Sequence, residues 1–169
     1  RGRLTEKVVE AAFAADDKKL YKDASDRFLR LILLQDELLA TRPEFKVGTW
    51  IARARSLGNT PEEKNLYEWN ARVQITTWGN RLAADEGGLR DYAHREWNGI
   101  LKDFYYMRWK TWFDYQAHLL DGKKPAAIDF YAIEEPWTKA TNVYPSEPEG
   151  DCIPTVKRIF AVTFGSSQK

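Results

Sequence analysis

Cysteine occurs once, at Cys152, and methionine once, at Met107. A single cysteine excludes an internal disulfide framework and any cysteine-rich zinc site. The only two histidines, His94 and His118, match neither the H-x-x-x-H nor the H-E-x-x-H spacing, so no metal centre is expected. Glycine-rich phosphate loops, a G-x-S-x-G elbow and a Ser/His/Asp order are all missing, and no cofactor is expected. Neither sign of charge is in excess, with 26 Lys plus Arg interspersed among 25 Asp plus Glu, so nothing waits for a phosphate backbone and no nucleic-acid partner is expected. No apolar run approaches the roughly 18 residues of a membrane span, which argues against membrane insertion. The opening RGRLTEKVVEAA lacks the apolar centre of a signal peptide, and because the chain does not begin with Met it reads as a fragment of something longer. None of the asparagines starts an N-x-S/T acceptor, which disfavours a glycosylated eukaryotic secretory protein.

What is present is apolar content of 43% against 30% charged over 169 residues, enough for one domain with a real core. The apolar residues recur at helical spacing. Leu20, Ala24, Phe28, Leu31, Ile32, Leu38 and Leu39 mark one face of a helix whose outer side carries Lys22, Asp26, Arg30 and Glu37. A weaker stripe of the same period, Leu4, Val8, Ala11, Ala12 and Ala15, precedes it. Thr41-Arg-Pro-Glu44 and Thr60-Pro-Glu-Glu63 both carry the capping-box spacing, and Gly58 is a natural left-handed stop between them. The second helix so started runs through Leu66, Trp69 and Val73 towards Gly79, and a further face, Leu89, Tyr92, Ala93, Trp97, Ile100 and Phe104, predicts that the helix resumes after Gly87-Gly88. Later helices are expected over Arg108 to about Leu120, near Glu134 to Asn142, and from about Asp151 to Phe164. No alternating strand pattern of useful length occurs. The expectation is all-α: a single-domain bundle of about seven helices over residues 1–169, without internal repeats.

Five of the seven tryptophans lie between Trp69 and Trp112. Trp69, Trp97, Trp109 and Trp112, at helical spacing among aliphatic residues, read as core. Trp78 differs, since it ends a helix directly before a glycine, and Tyr92 follows the glycine-rich gap on its far side. Rings at such facing ends can form the wall of a site for a sugar or another ring-bearing ligand, stacking on C–H groups while indole or phenol edges meet hydroxyls. The polar residues show no catalytic set. Asp85-Glu86 and Glu134-Glu135 are adjacent pairs that point in different directions on a helix and read as solvated caps. Cys152, just after the N-cap candidate Asp151, reads as a buried or half-buried small residue.

Taken in order, Tyr67-x-x-Asn70, Thr77-Trp78-Gly79, Leu89-x-Asp91-Tyr92-Ala93, Trp97-x-Gly99-Ile-Leu101, Tyr105-Tyr106 and Arg108-Trp109 resemble the C-terminal helical domain of glycoside hydrolase family 89, the α-N-acetylglucosaminidases. Phe45-x-x-Gly48-x-Trp50-Ile51-x-x-Ala54-Arg55 upstream is similar to the same domain, as are Tyr144-Pro-Ser-x-Pro-x-Gly150-Asp151 and Lys157-x-Ile159-Phe160 downstream. Each piece alone is unspecific; the ordered combination is specific and covers most of the chain.

The resemblance implies part of an enzyme. Its partner is the catalytic TIM-barrel domain of the same polypeptide, which supplies two glutamates for retaining hydrolysis of a terminal α-linked N-acetylglucosamine. Those glutamates are not in this sequence, so the chain alone is expected to be inactive. The substrate contacts carried over by motif are Trp78, Leu89 and Tyr92. Two departures stand out: the Gly79–Leu89 segment is several residues longer than in the animal enzymes, and Leu89 stands where they carry isoleucine. By resemblance a bacterial periplasmic or secreted setting is favoured over a lysosomal one. The competing reading is a free-standing helical interaction module with no sugar-related role.

Overall fold

The computed structural model describes residues 2–86 and 90–165. Among these residues no β-strand occurs, and the one isolated bridge, between Lys46 and Asn98, joins two irregular segments. The architecture is all-α. Helix α1 (Gly2–Ala14) turns at Asp16, in the left-handed region, into α2 (Lys18–Ala40), where the Asp17 carboxylate caps the start by accepting from the Leu20 N–H at 2.9 Å.

The long α2 is the central element. Its buried face presents Tyr21, Ala24, Leu29 and Ile32 to α1, to α6 (Tyr106–Leu120) and to a π-helical turn, Leu101–Tyr105, that leads into α6. The same face carries Asp36, 5% exposed, which hydropathy spacing does not reveal. A second pair, α3 (Val47–Ser56) and α4 (Pro61–Gln74), packs together, and α4 also meets α7 (Phe130–Lys139). The short α5 (Arg81–Glu86) follows α4, and α8 (Cys152–Phe164), capped by Asp151, lies on α2. Val47, Ile51, Ile75, Ile100, Phe104 and Trp137 tie the halves into one apolar cluster.

The expected capping box at Thr60 is present: its hydroxyl accepts from the Glu63 N–H at 3.2 Å, and the Glu63 carboxylate accepts from the Thr60 N–H at 3.3 Å. The one at Thr41 is not. Because α2 runs on to Ala40, Thr41 is its C-cap and donates its hydroxyl back to the Leu38 carbonyl at 2.8 Å, while Glu44 pairs with Arg42 in a short 3-10 turn, Pro43–Phe45.

The helix expected near Glu134 begins earlier, since Asp129 supplies the N-cap by accepting from the Ala132 N–H at 3.0 Å, and Pro136 sits inside it. The helix expected from Leu89 also differs. Residues 90–97 are irregular, and helical structure resumes at Ile100. The reason is Asp36: one of its oxygens accepts from the Gly99 N–H at 2.6 Å and the Lys102 N–H at 3.2 Å, so a carboxylate from α2 caps the new start. Gly99, with φ +91°, makes the turn into it, and a Cβ there would meet Val47 and the Tyr144 ring at 2.7 Å.

Candidate functional site

The end of α4 shapes the site. After Gln74 the chain does not run straight out: the Thr76 N–H and the Trp78 N–H both donate to the Val73 carbonyl, at 3.1 and 2.8 Å. Thr76 and Thr77 are buried, and Thr76 returns its hydroxyl to the Arg72 carbonyl at 2.6 Å. Trp78 then adopts φ 65°, a left-handed conformation uncommon for any residue but glycine and asparagine and costly for a bulky one. This conformation turns the indole outward, 41% exposed. Tyr92 is 69% exposed, and its ring centroid stands 5.4 Å from the indole at an interplanar angle of 60°. The two rings form a tilted pair at the surface.

Three further elements hold this surface. Asp91, also left-handed at φ 59°, donates its N–H to the Thr76 carbonyl at 2.7 Å, which fastens the segment bearing Tyr92 to the segment bearing Trp78. Its carboxylate is directed inward, one oxygen accepting from the Tyr105 hydroxyl at 2.5 Å and the other from Arg108 Nη1 at 2.6 Å. Arg108 Nε donates in turn to Glu134 at 2.6 Å, reaching α7. The other Glu134 oxygen has no hydrogen bond and faces the Arg90 guanidinium at 3.9 Å. On the opposite flank Arg81 grips Asp129 with two hydrogen bonds, at 2.8 and 3.1 Å, and lies over the Tyr131 ring.

The electrostatics follow from this geometry. Burial opposes the charge on Arg108, yet Glu134 and Asp91 outweigh it and raise the guanidinium above its ordinary value. Burial, then the bond to Asp91, pushes the Tyr105 phenol far up, so it remains a donor throughout the physiological range. The carboxylate beside Tyr92 is thus fully engaged by partners within the fold.

Of the three predicted contact residues, Trp78 and Tyr92 come together, while Leu89 lies outside the described residues. Tyr92 is not in a first helical turn, as expected from periodicity, but in the irregular stretch after the gap. Glu134 is no solvated cap: it is 0% exposed and paired with Arg108. Its neighbour Glu135 is half-buried and bound to Lys139 at 2.8 Å. The side chains of Asp85 and Glu86 lie outside the described set. Trp97 and Trp109 pack against the core as expected, whereas Trp69 and Trp112 are 41% and 36% exposed. Cys152 is half-buried. The residues that sequence reasoning missed are Asp91, Arg108 and Glu134. Asp91 and Arg108 stand in the family-like motifs and Glu134 in an acidic pair, but spacing along one helix does not resolve such charges into a network across three elements. Among the described residues, no group of three or more His, Cys, Asp or Glu is placed to hold a metal ion, and no helix is long and apolar enough to cross a membrane.

Comparison with known proteins places the chain. Residues 2–162 match the family described as the α-N-acetylglucosaminidase (NAGLU) C-terminal domain. Human α-N-acetylglucosaminidase is 29% identical over 136 residues, 74% of this chain and 17% of the human protein. A family 89 glycoside hydrolase from Clostridium perfringens, solved with 2-acetamido-1,2-dideoxynojirmycin, superposes with a TM-score of 0.89 at 35% identity, covering 99% of this chain and 20% of that one. A variant of the Clostridium perfringens enzyme, solved with its substrate GlcNAc-α-1,4-galactose, gives 0.87 at 36% identity, over 96% and 19% of the two chains. The chain therefore spans about a fifth of the length of the relatives it matches.

Proposed function

The chain belongs to the family of C-terminal domains of family 89 α-N-acetylglucosaminidases, and from that premise we propose that it forms one wall of the sugar pocket in a larger, retaining glycosidase. The catalytic acids belong to a barrel domain of the same polypeptide. Retaining hydrolysis needs two carboxyl groups about 5 to 5.5 Å apart on either side of one glycosidic bond. The helical domain closes the pocket from the other side, with Trp78 and Tyr92 against the terminal α-linked N-acetylglucosamine and Leu89 beside them.

The observation that carries this reading is the exposed, contacting pair of rings at the end of α4. A pyranose presents C–H groups on its faces and hydroxyls at its rim. Aromatic faces with an indole N–H and a phenol O–H at their edges match both. The left-handed backbone at Trp78 supports the reading too, because a conformation that glycine takes at no cost is here occupied by the largest side chain.

The test uses the full-length enzyme. Stacking a ring-shaped ligand on an aromatic side chain is worth about 1 to 3 kcal/mol, so Trp78→Ala is expected to lower kcat/KM about fivefold to 150-fold on a terminal α-N-acetylglucosaminide. Unchanged kcat and KM in both Trp78→Ala and Tyr92→Ala would remove the wall assignment and leave a helical scaffold.

A further inference from the structure

Building on the pocket-wall reading, we propose that Asp91 is the positioning residue that sets the Trp78–Tyr92 ring pair, with Tyr105 and Arg108 acting through it. The geometry assigns this role in two steps. The Asp91 N–H reaches the Thr76 carbonyl at 2.7 Å, so one backbone hydrogen bond lies two residues from one ring and one residue from the other. Distance between the rings is then set by where residue 91 sits and how its peptide is turned. Its turn is the uncommon left-handed one, φ 59°, which local preference alone does not hold firmly.

What holds it is the side chain. Both carboxylate oxygens are taken, by the Tyr105 hydroxyl at 2.5 Å and Arg108 Nη1 at 2.6 Å. These partners stand on rigid ground: Tyr105 is 6% exposed within the π-helical turn, and Arg108 on α6 is itself clamped to Glu134 of α7 at 2.6 Å. The Arg108 guanidinium also covers the Phe104 and Tyr105 rings, at 4.8 and 5.1 Å from their centroids. A loop residue is thereby tied to three packed elements, which is the support an aromatic wall requires if it is to meet a sugar in one orientation. Arg108 and Glu134 contribute by fixing the carboxylate.

The experiment uses the full-length enzyme, with 5-fluorotryptophan incorporated and the Trp78 resonance assigned by its loss in Trp78→Ala. Tyr92 lies close enough for its ring current to act on that resonance. In Asp91→Asn the Trp78 signal is expected to move or broaden towards its position in Tyr92→Ala, and kcat/KM is expected to fall about tenfold, with the same substitution costing at most about twofold once both rings are replaced by alanine. Tyr105→Phe, which deletes one hydrogen bond and keeps the ring, should shift the same signal in the same direction by less, and it stands in should Asp91→Asn fail to fold.

An unmoved Trp78 signal overturns the inference whatever the kinetics show, as does an equal kinetic loss with and without the two rings. A signal that moves while ring removal leaves hydrolysis intact instead overturns the pocket-wall reading and leaves the positioning role standing.

Discussion

The guanidinium of Arg72 lies over the indole of Trp137, 4.9 Å from the ring centroid, and is completely buried. It joins α4 to α7 and to the segment after it. Glu68 accepts from its Nε and Nη2 at 2.9 and 2.7 Å, and the carbonyls of Asn142 and Trp137 take further bonds. Glu68 also accepts from Arg55 Nη1 at 2.6 Å, so the group that loses its only carboxylate is the buried guanidinium: Glu68→Leu should cost about 3 to 5 kcal/mol of stability, whereas Glu68→Leu with Arg72→Leu should recover most of it. Urea denaturation of both variants checks the order. A single substitution costing less than about 1 kcal/mol would contradict it.

Gly48 lies against the backbone of the segment after α7. A Cβ at this position would stand 2.3 Å from the Pro145 carbonyl oxygen and 2.5 Å from that of Tyr144, atoms that yield only if the chain moves. Gly48→Ala is therefore expected to destabilise by about 1 to 3 kcal/mol or more through overpacking. Gly122→Ala, where φ is +73° but nothing lies within 4 Å, carries only the left-handed penalty of about 1 to 2 kcal/mol. Denaturation midpoints showing Gly122→Ala as the worse of the two would refute the account.

Trp78 makes a separable prediction about stability. Its φ of 65° suits glycine, so Trp78→Gly should be more stable than Trp78→Ala by about 1 kcal/mol, the reverse of the order seen inside a helix. Both variants should lose the same hydrolytic efficiency, since neither has a ring. Thermal unfolding measured beside kcat/KM separates the two effects, and an alanine variant as stable as the glycine one would show that the backbone relaxes when the indole is gone.

Asp36 predicts a pH dependence. Burial pushes its carboxyl above the usual range, against the pull of the Gly99 and Lys102 N–H groups and the Asn98 amide. A folded pKa above the unfolded one means that the stabilisation from this group is complete below the unfolded value, about 3.9, and is lost as pH rises through the folded value. The wild-type advantage over Asp36→Asn should thus be largest in acid and narrow towards neutrality. Unfolding temperatures of both proteins across about pH 3 to 7 give the sign directly, and an advantage that widens with pH would reverse the argument.

Much of this protein is written locally. The stripe through α2, the capping box at Thr60 and the N-cap at Asp151 depend on residues within a few positions of one another, so periodicity and cap chemistry suffice to place those helices. The same physics explains the failures. Thr41 carries the spacing of a capping box, but the helix before it persists and claims its hydroxyl. The face from Leu89 to Phe104 has helical spacing, but a carboxylate 63 residues away in sequence, Asp36, caps the chain at Gly99 and sets the start there.

The candidate site divides in the same way. That Trp78 and Tyr92 flank a glycine-rich gap is visible in the sequence, because a gap between two apolar faces is itself a local pattern. Whether the rings meet is decided by contacts between segments distant along the chain: Asp91 with Thr76, Tyr105 and Arg108, and Arg108 with Glu134. Helix type and extent come from interactions within a turn or two of backbone. The aim of a side chain in an irregular stretch comes from buried charges whose partners lie on other helices, and only the assembled fold brings those together.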